Sequence, residues 1–204
     1  ILIIPLFIFY LFMRRLNKCL EKKKYTNIPI WFMRQAGRYL KEFREIRKKN
    51  PDFINLCLNK KLVNKISLQP IKKFDLDAVI LFSDILIIPY GLGQKVIFKK
   101  NIGPILGDLN LDLIFNIKEN DFVNRINPIY KSLNLLKNSM DYKNKSLIGF
   151  AGAPWTLLLY MIHKRSPKKD FNKNKILNDN NLLNDLILKI ENIICLHVDK
   201  QIEA

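Results

Sequence analysis

Asp77-Ala-Val-Ile-Leu-Phe-Ser-Asp84 is the stretch that decides the fold. Ala78 to Phe82 is a continuous apolar run, short and rich in β-branched and aromatic residues, which is the signature of a strand buried on both faces. Ser146-Leu-Ile-Gly-Phe150 is a second run of the same kind. The segments around them repeat apolar residues at helical spacing. Tyr39 to Lys49 carries Tyr39, Leu40, Phe43 and Ile46 between charges, with Pro51 as its stop. Asp52 to Leu58, Lys61 to Phe74 (interrupted at Pro70), Asp121 to Leu136, Trp155 to Ile162 and Leu177 to Ile202 read as further helices. Val96 to Phe98 reads as a short strand, residues 14–28 as a short helix or linker, and residues 163–175 as a polar loop. Buried strands alternating with helices predict an α/β protein with a parallel sheet. In such folds the chemistry sits at the carboxyl ends of strands. Ser83-Asp84 and Ala151-Gly-Ala-Pro154 fall at those ends.

Working outward, composition removes several classes. The 204 residues are 49% hydrophobic and 26% charged, too apolar for a disordered chain. Three cysteines do not make a disulfide framework. Lys+Arg 35 against Asp+Glu 18 leaves a formal +17. Such a charge raises nucleic acid or an anionic membrane as partners. The lysines are scattered among asparagines, as in Asn172-Lys-Asn-Lys175, and are not interleaved with stacking aromatics, so no nucleic-acid partner is expected. The opening run ILIIPLFIFYLFM is shorter than the ~18–20 residues of a membrane span and lacks the basic start of a signal peptide. No stable span is expected. Met13 could serve as an internal start. Residues 1–26 therefore read as an apolar and basic extension, and residues 27–204 as the main domain. The chain reads as ending within a helix, as the N-terminal part of something longer.

Three groups of residues could carry chemistry. The first is Met33-Arg34-Gln35-Ala36-Gly37-Arg38-Tyr39. Each arginine presents a planar fork of donors that matches a carboxylate, and two forks in one loop can grip a ligand bearing several. Gly37 permits close backbone approach or a positive φ. Arg44 and Arg47, farther along the helix, could add positive potential or make ordinary surface pairs. The second is Asp84, whose carboxylate follows a buried strand and precedes Ile85-Leu-Ile-Ile-Pro89. There it could stabilise a developing cation or act as an acid or base. It could equally form an Asx turn or a helix cap. The third is Phe150-Ala-Gly-Ala-Pro-Trp-Thr156 with Tyr160. Small residues there would admit a planar ligand, and Tyr160, one turn on, could return its hydroxyl to the site, although core packing also explains Trp155 and Tyr160. Metal and nucleophile patterns are weak. Cys195 and His197 form a CxH, but residues two apart on a helix do not face one another. No phosphate loop, HExxH or GxSxG occurs.

Three motifs together resemble the uroporphyrinogen decarboxylase family: Pro29-Ile-Trp-Phe-Met-Arg-Gln-Ala-Gly-Arg-Tyr-Leu40, Leu81-Phe-Ser-Asp-Ile-Leu86 and Ile148-Gly-Phe-Ala-Gly-Ala-Pro-Trp-Thr156. Leu68-Gln-Pro70 and Gly103-Pro104 are similar too, and the resemblance covers about residues 27–204. It implies a (β/α)8 TIM barrel of which only the N-terminal part is present, working in the cytoplasm as a homodimer without metal or organic cofactor. It implies removal of carbon dioxide from the four acetate side chains of uroporphyrinogen III to give coproporphyrinogen III, in haem and related tetrapyrrole synthesis. By the same resemblance Arg34, Gln35, Ala36, Gly37 and Arg38 form the substrate-binding loop, where the arginines meet carboxylates. Arg47 matches a further basic position, Asp84 the aspartate that binds the pyrrole N–H groups, and Tyr160 a substrate-contacting tyrosine. Asp84 and Arg34 are the expected catalytic residues. A Ser/Thr and a late histidine of the family pattern have no match before Ala204. The alternatives are a corrinoid-linked methyltransferase of the same barrel superfamily, a non-enzymatic basic or membrane-associated protein, and an inactive fragment.

Overall fold

The computed structural model describes residues 15–22, 27–139, 145–166 and 180–204. Expectations for residues 1–14 and for 167–179 lie outside the described residues. In chain order the elements are α1 (Arg15–Leu20), α2 (Lys41–Lys49), α3 (Phe53–Cys57), α4 (Lys60–Lys73), β1 (Ala78–Ile80), α5 (Ile87–Gly91), β2 (Val96–Lys99), β3 (Gly103–Leu106), α6 (Leu111–Asn116), α7 (Glu119–Lys137), β4 (Ser146–Ile148), α8 (Pro154–His163) and α9 (Asn180–Glu203).

The expected parallel pair is present. β1 lies beside β4, with Ala78 opposite Ser146 and Ile80 opposite Ile148. On the other side of β1 the extended segment before the arginine loop comes alongside, where the Asp77 N–H donates to the Ile30 carbonyl at 2.8 Å. Both strands are shorter than the apolar runs that announce them, for the same reason. The Phe82 N–H donates to Ser67 Oγ at 2.8 Å instead of to a strand. The side-chain amide of Gln201 takes both backbone groups of Phe150, at 3.1 and 3.2 Å. Val96 to Phe98 is a strand, and it pairs antiparallel with β3 across a turn that uses Asn101 and Gly103 at φ 63 and 94.

The predicted helices form, the short α5 and α6 appear where none was expected, and the break at Pro70 needs correction. The expected break at Pro70 does not occur, and α4 runs on to Lys73. Proline removes one donor near the helix end, while the Phe74 N–H still reaches the Pro70 carbonyl at 2.9 Å. Asn59 caps the start of α4 through the Leu62 N–H. Leu40, Phe43 and Ile46 of the α2 region pack on Leu56 and Ile66 as a small core of their own. The larger core joins Val79 and Leu81 to Val63, Ile126, Leu157 and Ile190, with α4 lying directly against β1. Burial of this kind supplies the main stabilisation, at roughly 25 cal/mol per Å² of apolar surface. One polar pair sits within it: the Tyr130 hydroxyl of α7 lies 3.0 Å from His197 Nδ1 of α9, with both residues buried.

The amino end of β1 is tied by Asp77, which is only 4% exposed. Its carboxylate accepts from the Ile30 N–H at 2.8 Å and pairs with Arg15 of α1 at 3.4 Å. Its carbonyl accepts from the Ser146 N–H at 2.9 Å, and the Ser146 hydroxyl donates to Asn17 of α1 at 2.6 Å. A buried carboxylate needs such partners.

Candidate active site

The arginine loop hangs from the first residue of β1, and Asp84 follows the strand's opposite, carboxyl end. Gln35 is buried, and its side chain is fully engaged inside the protein: Nε2 donates to the Ala78 carbonyl at 3.0 Å, and Oε1 accepts from the Phe32 N–H at 3.1 Å. This hangs the arginine loop from β1. The loop is closed further by the Leu40 N–H on the Gly37 carbonyl at 3.0 Å and by the Tyr39 hydroxyl on the Gln35 carbonyl. Ala36 packs on the same small core as Phe82, which puts the loop and the Phe82-Ser83-Asp84 turn against one support. Gly37 has no positive φ, and a Cβ there would meet only the Tyr39 ring at 3.7 Å. The backbone above Gly37 is open, so the positive φ raised as one of two reasons for this glycine is not what the loop uses.

Arg34 and Arg38 flank the buried Gln35 and are both exposed. Neither makes an ion pair or a side-chain hydrogen bond among the described residues. Two forks of donors are thus held on a braced backbone with no internal acceptor. Arg47 is different. Its guanidinium lies 5.3 Å from the Phe53 ring centre and donates to the Asn50 carbonyl. Phe53 packs on Phe82 with centroids 5.8 Å apart, and Phe82 on Phe43 at 5.6 Å, so an aromatic cluster lies beneath the site.

Asp84 forms the Asx turn that was one of its two expected readings: Oδ1 accepts from the Leu86 N–H at 2.9 Å. No cation pairs with it among the described residues. Burial raises its carboxyl above the usual carboxylate range, and the Leu86 N–H only partly offsets this. The buried Cys57 thiol is pushed up by desolvation and by the Asp84 carboxylate, while Arg47 opposes the shift, so Asp84 and Arg47 act on one neighbourhood. Asp84 is therefore a carboxylate at a strand end that lacks an internal countercharge, which suits it to meet a positive charge or N–H donors brought by a ligand.

The second strand end abuts the first. A Cβ on Gly152 would lie 3.0 Å from Ile85 Cβ and 2.7 Å from Leu157 Cδ2. This glycine is needed for packing the two strand-end loops together, not for admitting a ligand. Pro154 starts α8, as its fixed φ allows. Trp155 is 47% exposed and so is not core. Tyr160 packs on the main core, and its hydroxyl donates to Ser166 Oγ at 3.3 Å; no hydrogen bond joins it to Asp84 or to the arginines. The structure ties Gln35 to β1, seats Ala36 on the core that also carries Phe82, two residues before Asp84, and leaves Tyr160 turned toward Ser166. Arg44, read from sequence as a source of positive potential or a surface pair, has a different part: its guanidinium donates to the Arg38 and Tyr39 carbonyls at 2.8 and 3.1 Å. A long arginine five and six residues after two helix-entry carbonyls was the available signal.

Cys195 is exposed while His197 is buried, so the CxH pair does not converge. Among the described residues no group of three or more His, Cys, Asp or Glu could hold a metal, and no helix is long and apolar enough to cross a membrane.

Comparison with known proteins follows the same outline. The family model described as uroporphyrinogen decarboxylase matches residues 12–204. Proteins named uroporphyrinogen decarboxylase are similar to this chain. That of Campylobacter jejuni subsp. jejuni serotype O:2 is 39% identical over 186 residues, 90% of this chain and 54% of its own length. That of Chelativorans sp. is 43% identical over 152 residues, covering 74% and 44%. That of Rickettsia felis is 42% identical over 154 residues, covering 76% and 44%. The chain spans about half the length of the curated relatives it matches. Among solved structures, a methyltransferase from Methanosarcina mazei superposes with a TM-score of 0.67 at 14% identity, over 93% of this chain and 55% of that one. At that identity the likeness is one of fold alone, and it fits an α/β architecture.

Proposed function

We propose, since the chain belongs to the uroporphyrinogen decarboxylase family, that it provides the substrate grip and the central carboxylate of a uroporphyrinogen decarboxylase. The substrate is uroporphyrinogen III, and the product is coproporphyrinogen III. The observation that carries this reading is the combination of two exposed arginines and one desolvated carboxylate without charged partners among the described residues, the arginines on a loop hung from β1 and the carboxylate just past that strand's end.

Losing carbon dioxide from an acetate leaves an electron pair that needs a sink. Protonation of the adjacent pyrrole carbon makes the ring cationic. The bond to the carboxylate then breaks, its electron pair moves into the ring, and carbon dioxide leaves. The exocyclic carbon then takes a proton and becomes a methyl group, while the ring carbon releases the proton it had received and the neutral pyrrole is restored. Asp84, accepting from the pyrrole N–H groups, stabilises the developing positive charge, and does so most effectively where water is excluded. Arg34 and Arg38 receive substrate carboxylates in paired geometry. Gln35, by resemblance a binding residue, serves here by holding the loop. Arg47 adds positive potential above Phe53, and Tyr160 is by resemblance a substrate-contacting residue.

The finer architecture belongs to the same proposal. The outer edge of β4 pairs with no strand among the described residues. Beside it runs a groove of about 340 Å³ lined by Leu147, Gly149, Leu136, Val198 and Ala204. A (β/α)8 barrel closed by the rest of the protein accounts for that edge, since an open parallel sheet leaves its backbone groups unpaired. The complete protein is read as a cytoplasmic homodimer.

The test is direct. The complete protein, incubated with uroporphyrinogen III under reducing conditions, yields coproporphyrinogen III, identified by chromatography of the oxidised porphyrins. Retention of all acetate groups by a folded protein refutes the reading.

A further inference from the structure

Arg44 lies exposed on α2 and pairs with no carboxylate among the described residues. An arginine so placed usually stays solvated, because fixing its long side chain loses up to ~2 kcal/mol of rotamer entropy. Here the side chain folds back toward the helix entrance, and one guanidinium nitrogen donates to two successive carbonyls, Arg38 at 2.8 Å and Tyr39 at 3.1 Å. The Leu40 N–H closes on the Gly37 carbonyl, and the Tyr39 hydroxyl on that of Gln35. The backbone from Gln35 to Leu40 is therefore pinned at each end and in its middle, while the Arg38 guanidinium between those pins has no partner among the described residues. One nitrogen serves both acceptors, and the rigid planar guanidinium fixes the direction of its two N–H bonds, whereas a lysine ammonium rotates freely on a flexible stem.

We propose that Arg44 is a positioning residue for polycarboxylate binding: it sets the backbone of Arg38 so that the Arg38 guanidinium is pre-aimed at a substrate carboxylate. The inference rests on the substrate reading above and deepens it. Pre-organisation of this kind acts on ground state and transition state alike, so it appears in KM and leaves kcat in place.

The experiment uses the complete protein with Arg44→Lys, Arg44→Met, Arg38→Met and the Arg38→Met/Arg44→Met double variant. Arg44→Lys and Arg44→Met are each expected to raise KM for uroporphyrinogen roughly tenfold, the scale of one hydrogen bond involving a charged group, with kcat little changed. The double variant is expected to be no worse than Arg38→Met alone, because the two side chains act through one another. Recovery of wild-type KM by Arg44→Lys would reduce Arg44 to a source of charge, and multiplying effects in the double variant would make it an independent contact. Either result overturns the proposal, as does an unchanged KM accompanied by a lower melting temperature. Hydrogen exchange supplies a readout apart from activity. The amides of Gly37 to Leu40 are expected to exchange faster in Arg44→Met, with α7 and α9 unaffected. Should the wild-type protein fail to turn over uroporphyrinogen, the substrate reading fails by itself. Unaltered exchange in that loop would then refute the positioning role separately.

Discussion

Replacing His197 with glutamine is expected to flatten the acid side of the stability profile. His197 is 2% exposed, lies edge-on to Phe122, and meets the Tyr130 hydroxyl at 3.0 Å. Burial depresses its pKa from 6.5 to about 4. In the unfolded chain the imidazole takes up a proton near pH 6.5, while the folded protein resists until about pH 4. The stability that depends on a neutral His197 is therefore complete above pH 6.5. It falls as the pH drops through the interval and changes no further below about pH 4. At about 1.36 kcal/mol per pH unit across that interval, the loss amounts to about 3 kcal/mol. Glutamine keeps an acceptor for Tyr130 and does not titrate. Urea unfolding followed by circular dichroism, at steps from pH 8 to pH 4, gives the difference between wild type and His197→Gln at each pH. That difference is expected to move by about 3 kcal/mol against the wild type on acidification. Other titrating groups are common to both proteins and cancel. Two parallel profiles would refute the reasoning, because they would mean that His197 protonates as readily folded as unfolded.

Three further outcomes follow from the site and the core. Asp84→Asn is expected to abolish turnover and yet raise the melting temperature at pH 7. The buried carboxyl has its folded pKa raised, so the folded state is penalised once the group ionises and is not penalised in acid; scanning calorimetry at pH 7 and pH 3 tests this, and a less stable variant at pH 7 would contradict it. Gln69→Met is expected to stabilise the protein by about 1 kcal/mol in urea titration, because both polar atoms of the buried Gln69 amide lack a hydrogen-bond partner; a loss of stability would reveal a bound water. Gly152→Ala is expected to destabilise by about 1–3 kcal/mol in the same titration, since its Cβ would meet Leu157 at 2.7 Å. A neutral result there would show that the two strand-end loops separate freely.

Much of this was legible in residue order. The apolar runs at Ala78 and Ser146 announce the parallel pair, and the Asx turn at Asp84 was one of its two expected readings. Illegible were the points where a distant side chain takes over a backbone group. Phe82 leaves its strand for Ser67, and Phe150 is occupied by Gln201, 51 residues away. Gln35 looks like a ligand contact beside two arginines, but its amide is claimed by the Ala78 carbonyl 43 residues on. Gly152 looks like space for a ligand and is space for Ile85. Pro70 shows the opposite case, a local breaker overridden because only one donor near a helix end is lost. In each instance the deciding contact is tertiary, and local pattern holds no record of it.

The knot at Asp77 has a consequence for biosynthesis. Its partners are Arg15, Ile30 and the Ser146 backbone, so the elements that seat the arginine loop are drawn from both ends of a 130-residue span. Contacts so far apart in sequence form late, after the entropy of closing a long loop has been overcome. A ribosome-bound chain holds helices α2 to α7 before Ser146 emerges, and until then β1 lacks its parallel neighbour. The seat of the arginine loop is therefore finished by a residue translated more than a hundred positions after the arginines themselves, and a pause in synthesis before β4 would leave those arginines on an unsupported loop.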